Sequence, residues 1–156
     1  MQIVFERIEH YIDSLKKQAI SLVKEVQALL KTQKPQKNNP DDPKEIRAKA
    51  VWVHFKERKD YDTFSIVWSK VKFFHHETKR PFYEDVARGR SFCINRNRFM
   101  ALVRGYHPEI QKELFGYEQE FAKIRQKQAL LSEARVRITN FQKLATKPEA
   151  HLMRKA

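Results

Sequence analysis

The chain has 156 residues, with 32 Lys and Arg against 19 Asp and Glu and a formal net charge of +13; that length has room for about one domain. A content of 41% hydrophobic and 12% aromatic residues supplies a core and excludes wholesale disorder, and the single cysteine, Cys93, excludes an intramolecular disulfide and a multi-cysteine zinc site. No apolar run is long enough to cross a bilayer, and Glu6 and Glu9 fall where a secretory signal would keep its apolar core, so the expectation is a cytoplasmic protein whose excess charge meets an anionic partner.

Residues 1–33 read as one helix. Phe5, Ile8, Ile12, Leu15, Ala19, Leu22, Val26 and Leu29 alternate steps of four and three, an unbroken heptad stripe, and neither Gly nor Pro interrupts it. Ile8, Ile12, Leu15, Leu22, Val26 and Leu29 are the expected helix-packing or dimer seam. Residues 34–43, KPQKNNPDDP, hold three Pro and two Asn and cannot continue a helix, so they form a linker.

Residues 44–107 read as a β-rich basic head. Lys49–Lys56 and Thr63–Phe73 alternate apolar and polar side chains and predict a β-hairpin. Pairing Phe55 with Phe64, Val53 with Ile66 and Val51 with Trp68 gathers six apolar side chains on one face, leaving Trp52, His54, Lys56 and Ser65 on the other. Residues 75–81 form a loop and PFYEDV a short helical turn. Arg88-Gly89-Arg90 turns into a third strand, Ser91–Ile94. Asn95 caps a short helix, Arg96–Arg104, with Gly105 as its left-handed terminator.

His107-Pro108 opens a second long helix over residues 108–147. Its stripe of Ile110, Leu114, Tyr117, Phe121, Ile124, Leu131 and Ile138 is interrupted by Gln128 and Arg135. Pro148 ends it, and 148–156 form a frayed tail. The expected fold is therefore α+β, two long amphipathic helices packing together and carrying a small antiparallel β-rich basic head. Arg135 is costly in a helix seam unless its charge is paired. A shorter packed stretch would leave part of the first helix uncovered, which predicts a homodimer or a helical partner on the N-terminal seam.

Catalytic signatures are missing from the sequence. The three glycines are isolated, so no phosphate-cradling loop exists, and the six histidines form no HExxH spacing. In His75-His76-Glu77, the best metal candidate, adjacent side chains on an extended loop point apart. Asp60 with Asp62, and Glu84 with Asp85, read as turn caps and charge-lightening acids. Cys93, between Phe92 and Ile94, has arginine neighbours that would lower its pKa but no base beside it. No cofactor, metal or catalytic residue is expected.

The charge concentrates in the middle of the chain. Residues 44–107 carry 15 basic and 7 acidic side chains, and Val86–Arg104 holds Arg88, Arg90, Arg96, Arg98 and Arg104 without one acid. Arginine's planar fork matches phosphate oxygens and guanine edges, and Asn97 among them offers an amide for base edges. These six residues, supported by Lys56, Arg58, Lys70 and Lys72, form the expected nucleic-acid site, with double-stranded DNA as the partner. Arg88 and Arg90 point the same way if the chain there is extended. Trp52, Trp68, Phe73, Phe74 and Tyr83 raise an RNA reading, in which bases stack on rings. A plainer reading makes the rings core and the charge a solvated surface on a coiled-coil adaptor.

One family resemblance rests on three features in order. They are the Ile66–Trp68 strand (IVW), the Gly-centred basic turn RGRSFCI, and the helix ELFGYEQEFAKIR at Glu113–Arg125. Over about residues 48–126 the chain resembles the MobI-type conjugative transfer proteins, with Ile66, Trp68, Arg88, Gly89, Arg90, Phe121 and Ile124 at the matching positions. The resemblance implies an auxiliary DNA-binding factor that acts with a relaxase at an origin of transfer.

Overall fold

The computed structural model describes residues 2–36, 50–59, 63–72 and 82–146. It is α+β, with helices α1 (Gln2–Thr32), α2 (Arg96–Leu102) and α3 (Pro108–Ala145) and strands β1 (Val51–Arg58), β2 (Thr63–Lys72) and β3 (Phe82–Asp85). The strands form one antiparallel sheet in the order β1-β2-β3. The linker beyond Gln36, Asp60 and Asp62, the 75–81 loop with its histidine pair, and the tail from Pro148 lie outside the described residues. Among the described residues no helix is long and apolar enough to cross a membrane.

α1 and α3 pack together antiparallel. Arg135 meets Glu9 at 2.9 Å near one end, and the Tyr117 hydroxyl donates to Glu25 at 3.3 Å further along. The buried face of α1 is Ile8, Ile12, Leu15, Ala19, Val23, Val26 and Leu30. Its steps average close to the about 3.6 residues per turn of a straight helix, not the 3.5 of a supercoiled heptad. From Val23 onward the face therefore drifts off the expected seam, and Leu22 and Leu29 are only half-buried beside it. The chain's own sheet and α3 cover this face, so the apolar seam is not left open for a partner. Arg135 is tolerated because it is paired. Truncating Leu15 to Ala is expected to cost about 2–5 kcal/mol, and Leu22→Ala distinctly less, as read by chemical denaturation. Equal costs would contradict the shifted face.

The hairpin forms with its faces as expected but its register moved by two residues. Phe55 pairs with Ile66, Val53 with Trp68 and Val51 with Lys70, and the last pair, Arg58 with Thr63, leaves four residues between the strands. Extended to the tip of the hairpin, the expected register would close on a two-residue Lys59-Asp60 turn. Such turns demand positive φ, which Asn-Gly or Gly-containing pairs supply and Lys-Asp does not. A slip of two preserves which side chains face the core, and Phe55 still stacks on Phe64, now a diagonal neighbour, at 5.2 Å.

Four other local expectations are corrected. Phe82–Asp85 is not a helical turn but strand β3, pairing Ser69 with Asp85 through Lys72 with Phe82. Ser91–Ile94 is not a strand; it bends. Asn95 does cap α2, its side chain accepting from the Asn97 N–H at 2.9 Å, but the helix ends at Leu102 with Val103 as its C-terminal cap. The positive φ belongs to Gly89, at 79°, and not to Gly105. Trp68 sits at the centre of the core, edge-on to Phe99 at 5.0 Å and tilted against Phe121 at 6.0 Å.

Candidate nucleic-acid interface

The acid-free arginine segment does not present one uniform patch. Gly89's positive φ turns the chain, so Arg88 and Arg90 part company. Arg88 turns inward, half-buried, and donates to the Ser91 carbonyl. Burial and the neighbouring Arg125 guanidinium lower its pKa, with Glu118 opposing them. Arg90 stays exposed and makes no hydrogen bond or ion pair among the described residues.

Arg98 donates to the Ala87 carbonyl at 2.9 Å, which holds the start of α2 beside that turn. Arg96 lies over the Phe115 ring, 5.8 Å from its centroid, a cation–π contact that leaves the guanidinium exposed. Phe99 and Val103 point into the core, while Asn97 and Ala101 lie on the outer side of α2 and Arg104 is exposed just past its end. Arg90, Arg96, Asn97 and Arg104 are thus the members of the segment whose polar groups face solvent without a polar partner among the described residues.

The supporting cations are dispersed. Alternation along the strands puts Lys56 and Arg58 on the outer face of the sheet, and Lys70 and Lys72 on the opposite face. Lys56 is paired with Asp85 at 2.6 Å, and Lys72 with Glu84. The Lys56 bond, helped by Ser69, holds the Asp85 carboxyl below its usual range, and the Lys72 bond does the same for Glu84. Glu84 and Asp85 are therefore charge partners of the sheet. Among the described residues no group of three or more His, Cys, Asp or Glu could hold a metal ion. On the same outer face His54 packs edge-on to Tyr83 at 4.7 Å, and burial, then Lys56, lowers its pKa.

A second feature is marked in the sequence only by the spacing of its two charged residues. Glu118 is fully buried on α3, and Arg125, two turns along the same face, lies against both its oxygens. Burial raises the Glu118 pKa, while Arg125 pulls it back. The Trp68 indole also favours the carboxylate but falls outside hydrogen-bonding geometry with any described group. Arg125 further donates to the carbonyls of Phe92 at 2.7 Å and Ile66 at 3.0 Å. Beside it the Gln128 amide donates to the Phe64 carbonyl and accepts the Phe64 N–H, each at 3.0 Å. The Val86 N–H donates to the Trp68 carbonyl at 2.8 Å. β3 pairs only with the end of β2, and these three groups bond the Phe64 N–H and the Phe64, Ile66 and Trp68 carbonyls along the rest of that edge.

The same region encloses a cleft of about 620 Å³, walled by the 86–94 segment, the free edge of β2 and α3. Arg58, Arg88 and Arg125 line it. Cys93, beside the cleft, has its pKa raised by burial and Glu118, against the expected lowering by arginines. The i, i+7 spacing of Glu118 and Arg125 was the one signal in the sequence that links them.

A family model described as MobI protein matches residues 15–139. The chain belongs to the MobI family. The match extends past the resembling stretch, so it covers the second half of α1 and most of α3 as well as the head. Membership ties this MobI-family chain to conjugative mobilisation. No curated protein and no solved structure gives a significant match to the chain.

Proposed function

We propose that this chain is a non-catalytic DNA-binding auxiliary of conjugative mobilisation, acting in the cytoplasm at an origin of transfer beside a relaxase. The observation that carries the reading is the cluster of Arg90, Arg96, Asn97 and Arg104. It stands on a turn and a short helix anchored together by the Arg98–Ala87 bond, in a segment without acids. A helix with its side chains is about 10–12 Å across, which suits the major groove, about 12 Å wide. Within it, guanidinium forks take phosphates or guanine edges, and Asn97 takes an adenine edge. Arg88 and Arg98 support from behind by shaping the loop.

Competition among a blunt duplex, an unstructured single strand and an RNA hairpin at one salt concentration tests this reading. The duplex is expected to displace bound duplex better than the RNA does. Stronger displacement by RNA would favour stacking on exposed rings such as Tyr83 and Phe92. Binding to none of the three would leave the helices as a structural adaptor.

A second copy joins this assembly through a different face from the buried seam. Where α1 and α3 run beyond the sheet, Tyr11 and Leu130 stand exposed on one shallow groove, with Val4, Val136 and Phe141 exposed on the same arm. Apart from the Glu9–Arg135 pair within the chain, the arm's α1 surface carries Glu6 and Asp13 against Arg7, and its α3 surface carries Arg137 and Lys143 against Glu133. A two-fold pairing that sets α1 of one copy on α3 of the other matches these charges. Light scattering of the wild type is expected to show a dimer, and Leu130→Glu a monomer. An 18.7 kDa species at high concentration in the wild type would sink the dimer.

A further inference from the structure

The cleft along β2 faces the same medium as the arginine cluster, yet a duplex does not enter it. At about 620 Å³ it is the size of a small-molecule site, while a DNA double helix is too wide for such a concavity. Its chemistry selects an anion. Arg58, Arg88 and Arg125 converge on it, and Glu118 is the acid acting on this group, so positive charge is in excess inside a concave surface. Low-dielectric walls focus that field, and a bound anion relieves the repulsion between Arg88 and Arg125.

An extended peptide is a poor occupant. The backbone atoms it would need on β2 are already taken by Gln128 at Phe64, Arg125 at Ile66 and Val86 at Trp68. Arg125 is spent on these bonds and on Glu118. Arg58 makes no hydrogen bond or ion pair among the described residues, and Arg88 commits one nitrogen to Ser91. These two remain to meet phosphate oxygens. Phe92 lines the same cleft and is 41% exposed, an apolar ring at its mouth. Phosphate-matching forks beside an open ring are what an unpaired nucleotide needs, since every base has a face that stacks.

We infer that the cleft between the β2 edge and the 86–94 segment binds an unpaired DNA nucleotide, with Arg58 and Arg88 on its phosphates and Phe92 against its base. The inference rests on the DNA-binding reading and deepens it. The preferred ligand is then a duplex that carries a single-stranded extension, the paired part lying on α2 and the turn, the unpaired part entering the cleft.

The test compares a labelled blunt duplex with the same duplex bearing six unpaired thymidines, by fluorescence anisotropy at one salt concentration. The extension is expected to tighten wild-type binding about tenfold, within the range of one or two stacked bases. Phe92→Ala, at an exposed side chain, is expected to erase that gain while leaving blunt-duplex affinity within about twofold, and Arg58→Gln is expected to erase the gain as well. Circular dichroism checks that both fold. Equal wild-type affinity for the two ligands overturns the cleft assignment while the DNA-binding reading stands. So does a gain that survives both substitutions. A larger gain from six uridines overturns the choice of DNA. Binding to neither ligand removes the DNA-binding reading, and the cleft assignment with it.

Discussion

Replacing Arg125 by Ala is expected to destabilise the protein by about 3–5 kcal/mol, the cost of stranding a buried charge. Three things fail at once. Glu118, fully buried, loses its counter-charge; the Phe92 carbonyl loses the donor that holds the 86–94 segment; and the Ile66 carbonyl on the β2 edge is exposed to mispairing. For a chain of this size each kcal/mol moves the melting temperature by about 2–4 °C, so calorimetry should show a fall of roughly 6–20 °C. The double variant Glu118→Leu with Arg125→Met should recover much of the loss, because it leaves no unpaired charge. It should not recover all of it, since the two carbonyls still lack their donor. A single Arg125→Ala variant that melts with the wild type would mean that the pair holds nothing together.

Reversing Arg90 and Arg104 to Glu is expected to weaken duplex binding by orders of magnitude without changing the melting temperature. Both side chains are exposed and neither bonds to another described group; Arg90 stands on the turn and Arg104 just past the end of α2. If each meets one phosphate, two contacts are lost and two repulsions gained, and the salt slope falls by about 1.8. Reversing Lys56 and Lys72 should do much less to binding, because Asp85 and Glu84 already neutralise them. Comparable losses from the two double variants would show that net charge alone governs binding.

The layout of the chain was legible in the sequence because it depends on periodicity. The 3.6-residue pattern of α1 and α3 and the alternation of β1 and β2 record which side faces the core, and that is what burial enforces. Register and terminators depend on backbone dihedrals that the side chains only hint at. The polar stretch 57–62 carries no residue that fixes a turn type, so it left the register open, and the hairpin slipped by two. Ser91–Ile94 had a strand's alternation, but guanidiniums from Arg88 and Arg125 bond its carbonyls, so it needs no ladder. Phe82–Asp85 looked polar enough for a turn, yet as an exposed edge strand it suits its acids, which pair with Lys56 and Lys72 across the sheet.

The site was legible only in part for a related reason. Charge density marks Val86–Arg104, but composition does not say which guanidiniums bond to carbonyls and which face water. Three-dimensional proximity divides them, with Arg88 and Arg98 as struts and Arg90, Arg96 and Arg104 outside. Gln128 registered in the sequence only as a break in an apolar stripe. It breaks the stripe because it caps a strand edge, a role visible only once α3 lies beside β2.

The central claim, binding to duplex DNA through solvent-facing arginines, is tested most directly by titrating salt against wild-type affinity for a blunt duplex. Three arginine contacts, from Arg90, Arg96 and Arg104, predict that log K falls linearly with log salt at a slope of about −2.7. A flat line, or no binding at about 50 mM salt where counterion release is strongest, would contradict the account.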